Sequence, residues 1–329
     1  MSEEPYISIL TPAFNRKEFL PILIKSLSKQ SFKNFEWVIG NDGSSDGTEQ
    51  YLREELAKQE FSVTYISSDL RIGKSSIDNY LLDYAKGKYI LWCDSDDFLV
   101  EDSLERLVKI IEENKLHSNE SVAGIIAQNL DTDGISQSFD RNKRNPKKGF
   151  YSWQELEELL IGDATICVKR KIYSDSRFPE IDFLTIESII LRDLYKPFKF
   201  FLTDEVVKIM DRSAENSVSH GKKLQYCRGS AYSISQTINY DRYDNMSLIQ
   251  KITLVIKYFR YCIHGDLGFM DSVGMWKSLK RNYSLIIFYP ISFTIAIKDI
   301  LMRKVEKTHI KFNENRPVAK VSINYFNKG

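Results

Sequence analysis

The chain has 329 residues, 43% of them hydrophobic, and 46 Lys/Arg against 45 Asp/Glu leave a formal charge of +1. That length can bury a large core in one domain with an appendage or in two domains, and near-neutrality gives no field to steer the chain toward nucleic acid. Cys93, Cys167, Cys227 and Cys262 are scattered without a CxxC pair and His117, His220, His264 and His309 lie far apart, which excludes a sequence-encoded zinc site or disulfide framework.

A reducing compartment fits this cysteine usage, and the histidines read as surface or loop residues. Met1 to Pro5 is short and acidic and runs straight into a strand, without the charged and apolar regions of a secretory signal. From Tyr6 to about Glu113 short apolar runs alternate with amphipathic stretches, the pattern of a parallel sheet flanked by helices. Tyr6–Thr11 is the first strand, and Asn15 is placed to cap a helix over Lys17–Gln30, where Phe19, Leu20, Leu23 and Leu27 recur at helical spacing. Strand Phe35–Asn41, a polar turn Asp42–Thr48, helix Glu49–Lys58, strand Phe61–Ser67, helix Ser75–Ala85 and strand Tyr89–Cys93 follow. Ligands of such sheets bind outside the carboxyl ends of the strands, so Thr11, Asp42, Ser67 and Asp94 share one edge.

Asp94-Ser95-Asp96-Asp97 stands at the end of the fourth strand. Carboxylates packed this closely repel one another and are costly to desolvate unless a cation is shared among them. Two readings follow. One is a divalent metal site open to substrate phosphates, since hard cations take oxygen ligands. The other is an acidic start to the helix Leu104–Ile111, extended by Glu101 and Asp102.

Beyond Asn114 the pattern gives a strand over Val122–Gln128, a polar loop over Asp131–Lys148 that lies over the site, and a helix over Ser152–Leu160 opened by a Ser152/Glu155 capping box. A strand over Ala164–Lys169, a helix over Ile186–Tyr195 and a strand over Val206–Met210 complete the second half, and Leu224 onward reads as mainly helical. Ser284–Ile297 is apolar but interrupted by Pro290 and too short to span a bilayer. With Lys277, Lys280 and Arg281 before it and Lys298, Arg303, Lys304 and Lys307 after it, it suits either a core helix pair with solvated ends or a seat on an anionic membrane surface.

Four motifs occur in order: Thr11-Pro12-Ala13-Phe14-Asn15-Arg16, the Asn41–Thr48 stretch NDGSSDGT, Arg71-Ile72-Gly73-Lys74, and the DSDD run. Together they resemble a family-2 glycosyltransferase of the GT-A fold over roughly residues 5–215, with 1–113 the nucleotide-binding half, 114–215 the acceptor half and 216–329 a C-terminal helical region. The resemblance implies that Thr11, Pro12 and Asp42 meet the nucleotide, with the Thr11 hydroxyl and the Asp42 carboxylate reading the base. By the same resemblance Arg71 stands where the family places a residue against the base and Lys74 is within reach of the ribose or diphosphate, the alternative for both being a surface cation pair. It assigns Asp94, with Ser95, to the ribose and Asp96 to a Mn2+ or Mg2+ ion. Asp97 is left as a helper, a sugar or acceptor contact, or a helix cap. Asp78 stands where many relatives carry a basic residue, ahead of Asn79.

Phe178-Pro179-Glu180 and the residues to Ser188 resemble the family's FPE segment, which implies Glu187 as the base that takes the acceptor proton, with Asp182 and Glu180 as competitors. Asp163, in the Gly162-Asp163 turn, and Asp182 are further candidates for acceptor or sugar contact. Gln225-Tyr226-Cys227-Arg228 is followed by Gly229, so the QxxRW motif of processive synthases is missing. The resemblance implies a metal-dependent, inverting, non-processive transferase moving sugar from a nucleoside diphosphate donor, most simply a UDP-sugar, to a hydroxyl of a glycan or lipid-linked acceptor. Bacterial surface polysaccharide synthesis in the cytoplasm, with peripheral membrane contact through the C-terminal region, is the setting it suggests. Two rivals are a sugar-1-phosphate nucleotidyltransferase, which needs a glycine-rich loop that Thr11–Arg16 does not supply, and a catalytically silent nucleotide-sugar-binding partner in a membrane assembly.

Overall fold

β1 (Ile7–Ala13), β2 (Phe35–Asp42), β3 (Ser62–Ser68) and β4 (Tyr89–Trp92) are apolar-rich runs buried on both faces, as central parallel strands require. The computed structural model describes residues 4–139, 146–174, 176–178, 188–211, 213, 227–239, 243, 246–274, 283–302 and 319–327. It divides into two compact units, Met1–Pro179 with Arg192–Ala214 and Arg316–Gly329, and Glu180–Leu191 with Glu215–Asn315.

The first unit is built on a 10-stranded sheet of order β10-β3-β2-β1-β4-β8-β6-β9-β5, with β7 paired to β9. The remaining strands are β5 (Asp97–Leu99), β6 (Val122–Asp131), β7 (Gly149–Ser152), β8 (Thr165–Lys169), β9 (Lys199–Met210) and β10 (Val321–Phe326). β1 through β4 run parallel, and β8 turns antiparallel between β4 and β6. The helices are α1 (Leu20–Ser28), α2 (Thr48–Leu56), α3 (Lys74–Tyr84), α4 (Ser103–Glu113), α5 (Trp153–Leu159) and α6 (Ser188–Tyr195). Ile7, Ile9, Trp37, Ile39, Tyr65 and Leu91 form one core with leucines of α1, α2 and α4. On the other face Gly40 lets α3 approach, since a Cβ there would lie 2.7 Å from Ile77 Cγ2.

Several expectations are corrected. Asn15 does not cap a helix: it takes a left-handed turn with φ 53°, and α1 begins only at Leu20. The Asn15 side chain instead accepts the Ser45 N–H, and its own N–H donates to Ser44 Oγ, tying the end of β1 to the turn after β2. Residues 131–139, the described start of the expected loop, form a compact turn in which Asp131 Oδ1 accepts the N–H groups of Asp133 and Ile135 and Phe139 bridges to Leu160. The stretch Gly149–Ser152, between the expected loop and the expected helix and assigned no strand from the sequence, is a strand paired with the longer β9. The Ser152 capping box of α5 is present as expected.

The end of the chain is not uniformly helical. Val321–Phe326, rich in β-branched and aromatic residues, pairs antiparallel with β3 at the edge of the first sheet. The second unit contains α7 (Cys227–Asn239), α8 (Leu248–His264), α9 (Phe269–Gly274) and α10 (Tyr289–Leu301). Ala231, Ile238, Val255, Tyr258, Phe259 and Cys262 form its core. His264 is not a surface residue: it is buried, with Nε2 3.0 Å from Asp299, which also accepts from Arg260 Nε at 2.6 Å. All four cysteines are free and buried. Among the described residues no helix is long and apolar enough to cross a membrane.

Candidate active site

The parallel strands β1, β2 and β4 end together, which brings Pro12, Asp42 and the Asp94–Asp97 run to one edge of the sheet. The NDGSSDGT turn is organised by its own polar side chains. Asn41 Oδ1 accepts from Ser44 Oγ at 2.5 Å, and Asp46 Oδ1 accepts the Thr48 N–H at 3.0 Å. Gly43, with φ +65°, allows the next loop to lie against it; a Cβ there would sit 2.5 Å from the Arg71 nitrogen.

Asp42 is 4% exposed, and its carboxylate accepts the N–H groups of Ile72 at 2.6 Å and Gly73 at 3.0 Å. Arg71 Nε lies 3.8 Å from the same carboxylate, and its guanidinium stacks 4.0 Å from the Phe14 ring centroid. Asp42 is therefore the latch that holds the Arg71–Lys74 loop onto β2 and sets the Arg71 guanidinium over Phe14, just past the end of β1. Lys74 Nζ bonds Asp78 Oδ2 at 2.9 Å, which gives the unexpected acid at 78 a local counter-charge at the start of α3. Thr11 requires a correction. Its side chain is fully buried and its hydroxyl accepts the Trp37 indole N–H at 2.9 Å, because β1's alternation turns it into the core. Pro12, on the opposite face, is half-buried.

In the acidic run each carboxylate has its own surroundings. Asp94 is exposed, Ser95 is buried and Asp96 is half-buried. Burial, and then the neighbouring Asp94 charge, push the Asp96 carboxyl above its ordinary range, and Arg16 draws it back. Arg16 NH2 stands 3.7 Å from Asp96 Oδ2, and its NH1 donates to the carbonyls of Phe14 and Asn15, which fixes the guanidinium in place. Asp97 is corrected as well. It opens β5, opposite Met210 of β9, rather than capping α4, and its carboxylate is committed to Lys208 Nζ at 2.6 Å. Burial raises Asp97 to about 6 against the pull of Lys208. Burial also opposes the Lys208 charge, but Asp97 and Asp94 outweigh it and hold the ammonium protonated. Both members of the pair are buried.

Among the described residues no three His, Cys, Asp or Glu side chains converge as a metal cage. Asp94 and Asp96 nevertheless fit an ion that keeps open positions for phosphate oxygens: two like charges sit at one strand end, and the Arg16 guanidinium that pairs with Asp96 stands 3.7 Å away, at long range.

Asp163 is exposed just before β8, which runs antiparallel from this same edge, and its carbonyl accepts from Ser138 Oγ at 2.9 Å and Asn129 Nδ2 at 3.3 Å. Asn79 of α3 grips the start of the FPE segment through two bonds, Nδ2 to the Phe178 carbonyl at 2.9 Å and the Phe178 N–H to Oδ1 at 2.8 Å. The Phe178 ring packs edge-on to Trp92 at 6.0 Å, and Trp92 Nε1 donates to the Tyr173 hydroxyl at 3.1 Å, which in turn bonds Tyr195. Glu180, Asp182 and Glu187 lie outside the described residues. Arg16, Lys208 and the Asn79 clamp were not assigned from sequence. Only Arg16 carried a signal, as the last residue of the first motif.

A mixed sheet with a nucleotide-type edge and acids at the end of β4 defines a glycosyltransferase of the GT-A class. The profile of Glycosyl transferase family 2 matches residues 8–173, and the chain belongs to that family. It is 27% identical over 199 residues to the GalNAc(5)-diNAcBac-PP-undecaprenol beta-1,3-glucosyltransferase of Campylobacter jejuni, covering 60% of this chain and 62% of that protein. It is 26% identical over 220 residues to the putative teichuronic acid biosynthesis glycosyltransferase TuaG of Bacillus subtilis, covering 67% and 83%. The structure of S. aureus TarS 1-349 in complex with UDP-GlcNAc shares the fold, with a TM-score of 0.53 at 15% identity over 98% of this chain and 99% of that one.

Proposed function

We propose that this glycosyltransferase is inverting and metal-dependent, and moves one sugar at a time from a UDP-sugar to a hydroxyl of a glycan or lipid-linked acceptor. The observation that carries this reading is the meeting, at one sheet edge, of the Asp42–Arg71 latch and the Asp94/Asp96 pair. Arg71, held over the Phe14 ring, would offer a planar guanidinium to a base beside the latch. Asp94, exposed at the strand end, is suited to ribose hydroxyls.

Asp96, with Asp94 as its neighbour, would hold Mn2+ or Mg2+. When bound, the ion supplies Lewis-acid neutralisation of the departing nucleoside diphosphate. Arg16, fixed by two carbonyls, adds a preorganised positive charge on the same side. The acceptor proton goes to a carboxylate of the FPE segment, Glu187 first and Asp182 or Glu180 as rivals, and the Asn79 clamp sets where that segment leaves the sheet. The relatives' names, teichuronic acid and undecaprenol-linked glycan among them, support bacterial surface polysaccharide synthesis, and the setting proposed for it is the cytoplasm at the membrane's inner face.

The test is a panel of nucleotide sugars with Mn2+, read by thermal shift and by donor turnover, on wild type and Asp96→Asn. The expected result is stabilisation by UDP-sugars over other nucleotide sugars and a loss of turnover of about 100-fold or more in Asp96→Asn, with little change in melting temperature. Undiminished turnover in excess EDTA overturns the metal's role.

A further inference from the structure

Helix α10 is turned inside out relative to an ordinary surface helix. Its buried positions are Ser292, Ala296 and Asp299, all small or polar, and they face α8, where Asp299 bonds both Arg260 and His264. Its solvent side carries Phe293 at 48% exposure, Ile297 at 44%, Ile300 at 58% and Leu301 at 78%. These four recur at helical spacing and make one stripe. Lys298 is exposed beside them. A soluble helix held by an internal ion pair has no reason to present a phenylalanine, two isoleucines and a leucine to water.

The sequence on either side of the helix says what covers the stripe. From 275 to 311 the sequence holds eight Lys/Arg and two acids, Asp299 and Glu306, and Asp299 is buried against Arg260. An apolar stripe within a strongly cationic stretch is complementary to an anionic lipid surface and not to a second copy of itself, which would bring like charges together. No helix among the described residues is built to cross the bilayer, so the contact is one that lies on it.

We infer that the Phe293–Leu301 face of α10 docks on an anionic membrane surface, with its side chains at the headgroup boundary and Lys298 at the phosphates. This rests on the reading that the acceptor is carried at a membrane, and names the face that meets it.

The test is flotation of the full chain with vesicles of phosphatidylcholine containing about one third phosphatidylglycerol, against pure phosphatidylcholine vesicles, at low and high salt. The expected result is binding to the anionic vesicles alone, weakened by salt, and reduced about tenfold or more by the triple substitution Phe293→Gln, Ile297→Gln and Ile300→Gln. The substituted side chains are on the solvent side, so an unchanged melting temperature and an unchanged UDP thermal shift accompany the loss. Equal binding by the triple variant overturns the proposal, as does wild type left unbound. A wild-type dimer that the triple variant dissociates assigns the stripe to a second copy and overturns it too. Hydrogen exchange showing the stripe protected in vesicle-free wild type, released by the same substitutions, assigns it to the chain itself with the same consequence. Loss of UDP response with vesicle binding intact would sink the transferase reading and leave this one standing.

Discussion

Replacing Lys208 with methionine tests the electrostatic account of the acidic run directly. Lys208 and Asp97 are both buried, at 6% and 4% exposure, and 2.6 Å apart. Removing one partner of such a pair leaves the other charge uncompensated, which costs about 3 kcal/mol or more. The pH dependence follows from Asp97, raised in the fold to about 6 from an ordinary 3.8. A carboxyl raised by folding is protonated longer in the folded state than in the unfolded one, so wild-type stability falls as pH rises from 3.8 to about 6 and then levels. Without Lys208, whose charge pulls Asp97 down, the fall continues above pH 6 at about 1.4 kcal/mol per pH unit. Lys208→Met should therefore melt near wild type at pH 5 and, with about 2 kcal/mol lost between pH 6 and pH 7.5, roughly 4–8 °C lower at pH 7.5. Scanning fluorimetry from pH 5 to 8 reads this, with Asp97→Leu/Lys208→Met expected to recover most of the loss. A melting difference that does not vary with pH, or a double variant no better than the single one, refutes the reasoning.

Gly43→Ala should force the Arg71 loop off β2, because the left-handed backbone and the 2.5 Å approach to the Arg71 nitrogen leave no space for a methyl group. UDP affinity by calorimetry is expected to weaken about tenfold or more. Asn79→Ala removes both bonds to Phe178 and should lower kcat/KM for the acceptor while donor affinity stays near wild type. Equal losses for donor and acceptor would contradict the separate roles given to the two loops.

The nucleotide half was legible because its signals are local: each parallel strand is a short apolar run closed by a turn, and the four motifs fall at strand ends. What stayed hidden depends on pairing over distance. Nothing near Asp97 in sequence points to Lys208, which reaches it only because β5 and β9 pair. Thr11 was misread since hydroxyls at strand ends serve cores and ligands alike, and only Trp37 decides between them. Asn15 shows the same limit in a turn, because asparagine suits both a helix cap and the left-handed conformation it takes here. The inward turn of His264 depends on Asp299, a partner on another helix.

β10 also bears on how the protein is made. Its partner β3 has β2 on its other side, so until Val321–Phe326 arrive the β3 edge of the sheet has open hydrogen-bonding groups. About 250 residues separate the two strands, which at ribosomal speeds of roughly 5–20 residues per second is a wait of roughly ten to fifty seconds. During translation the nascent nucleotide half therefore carries an unpaired strand edge, open to pairing with another chain until β10 closes it.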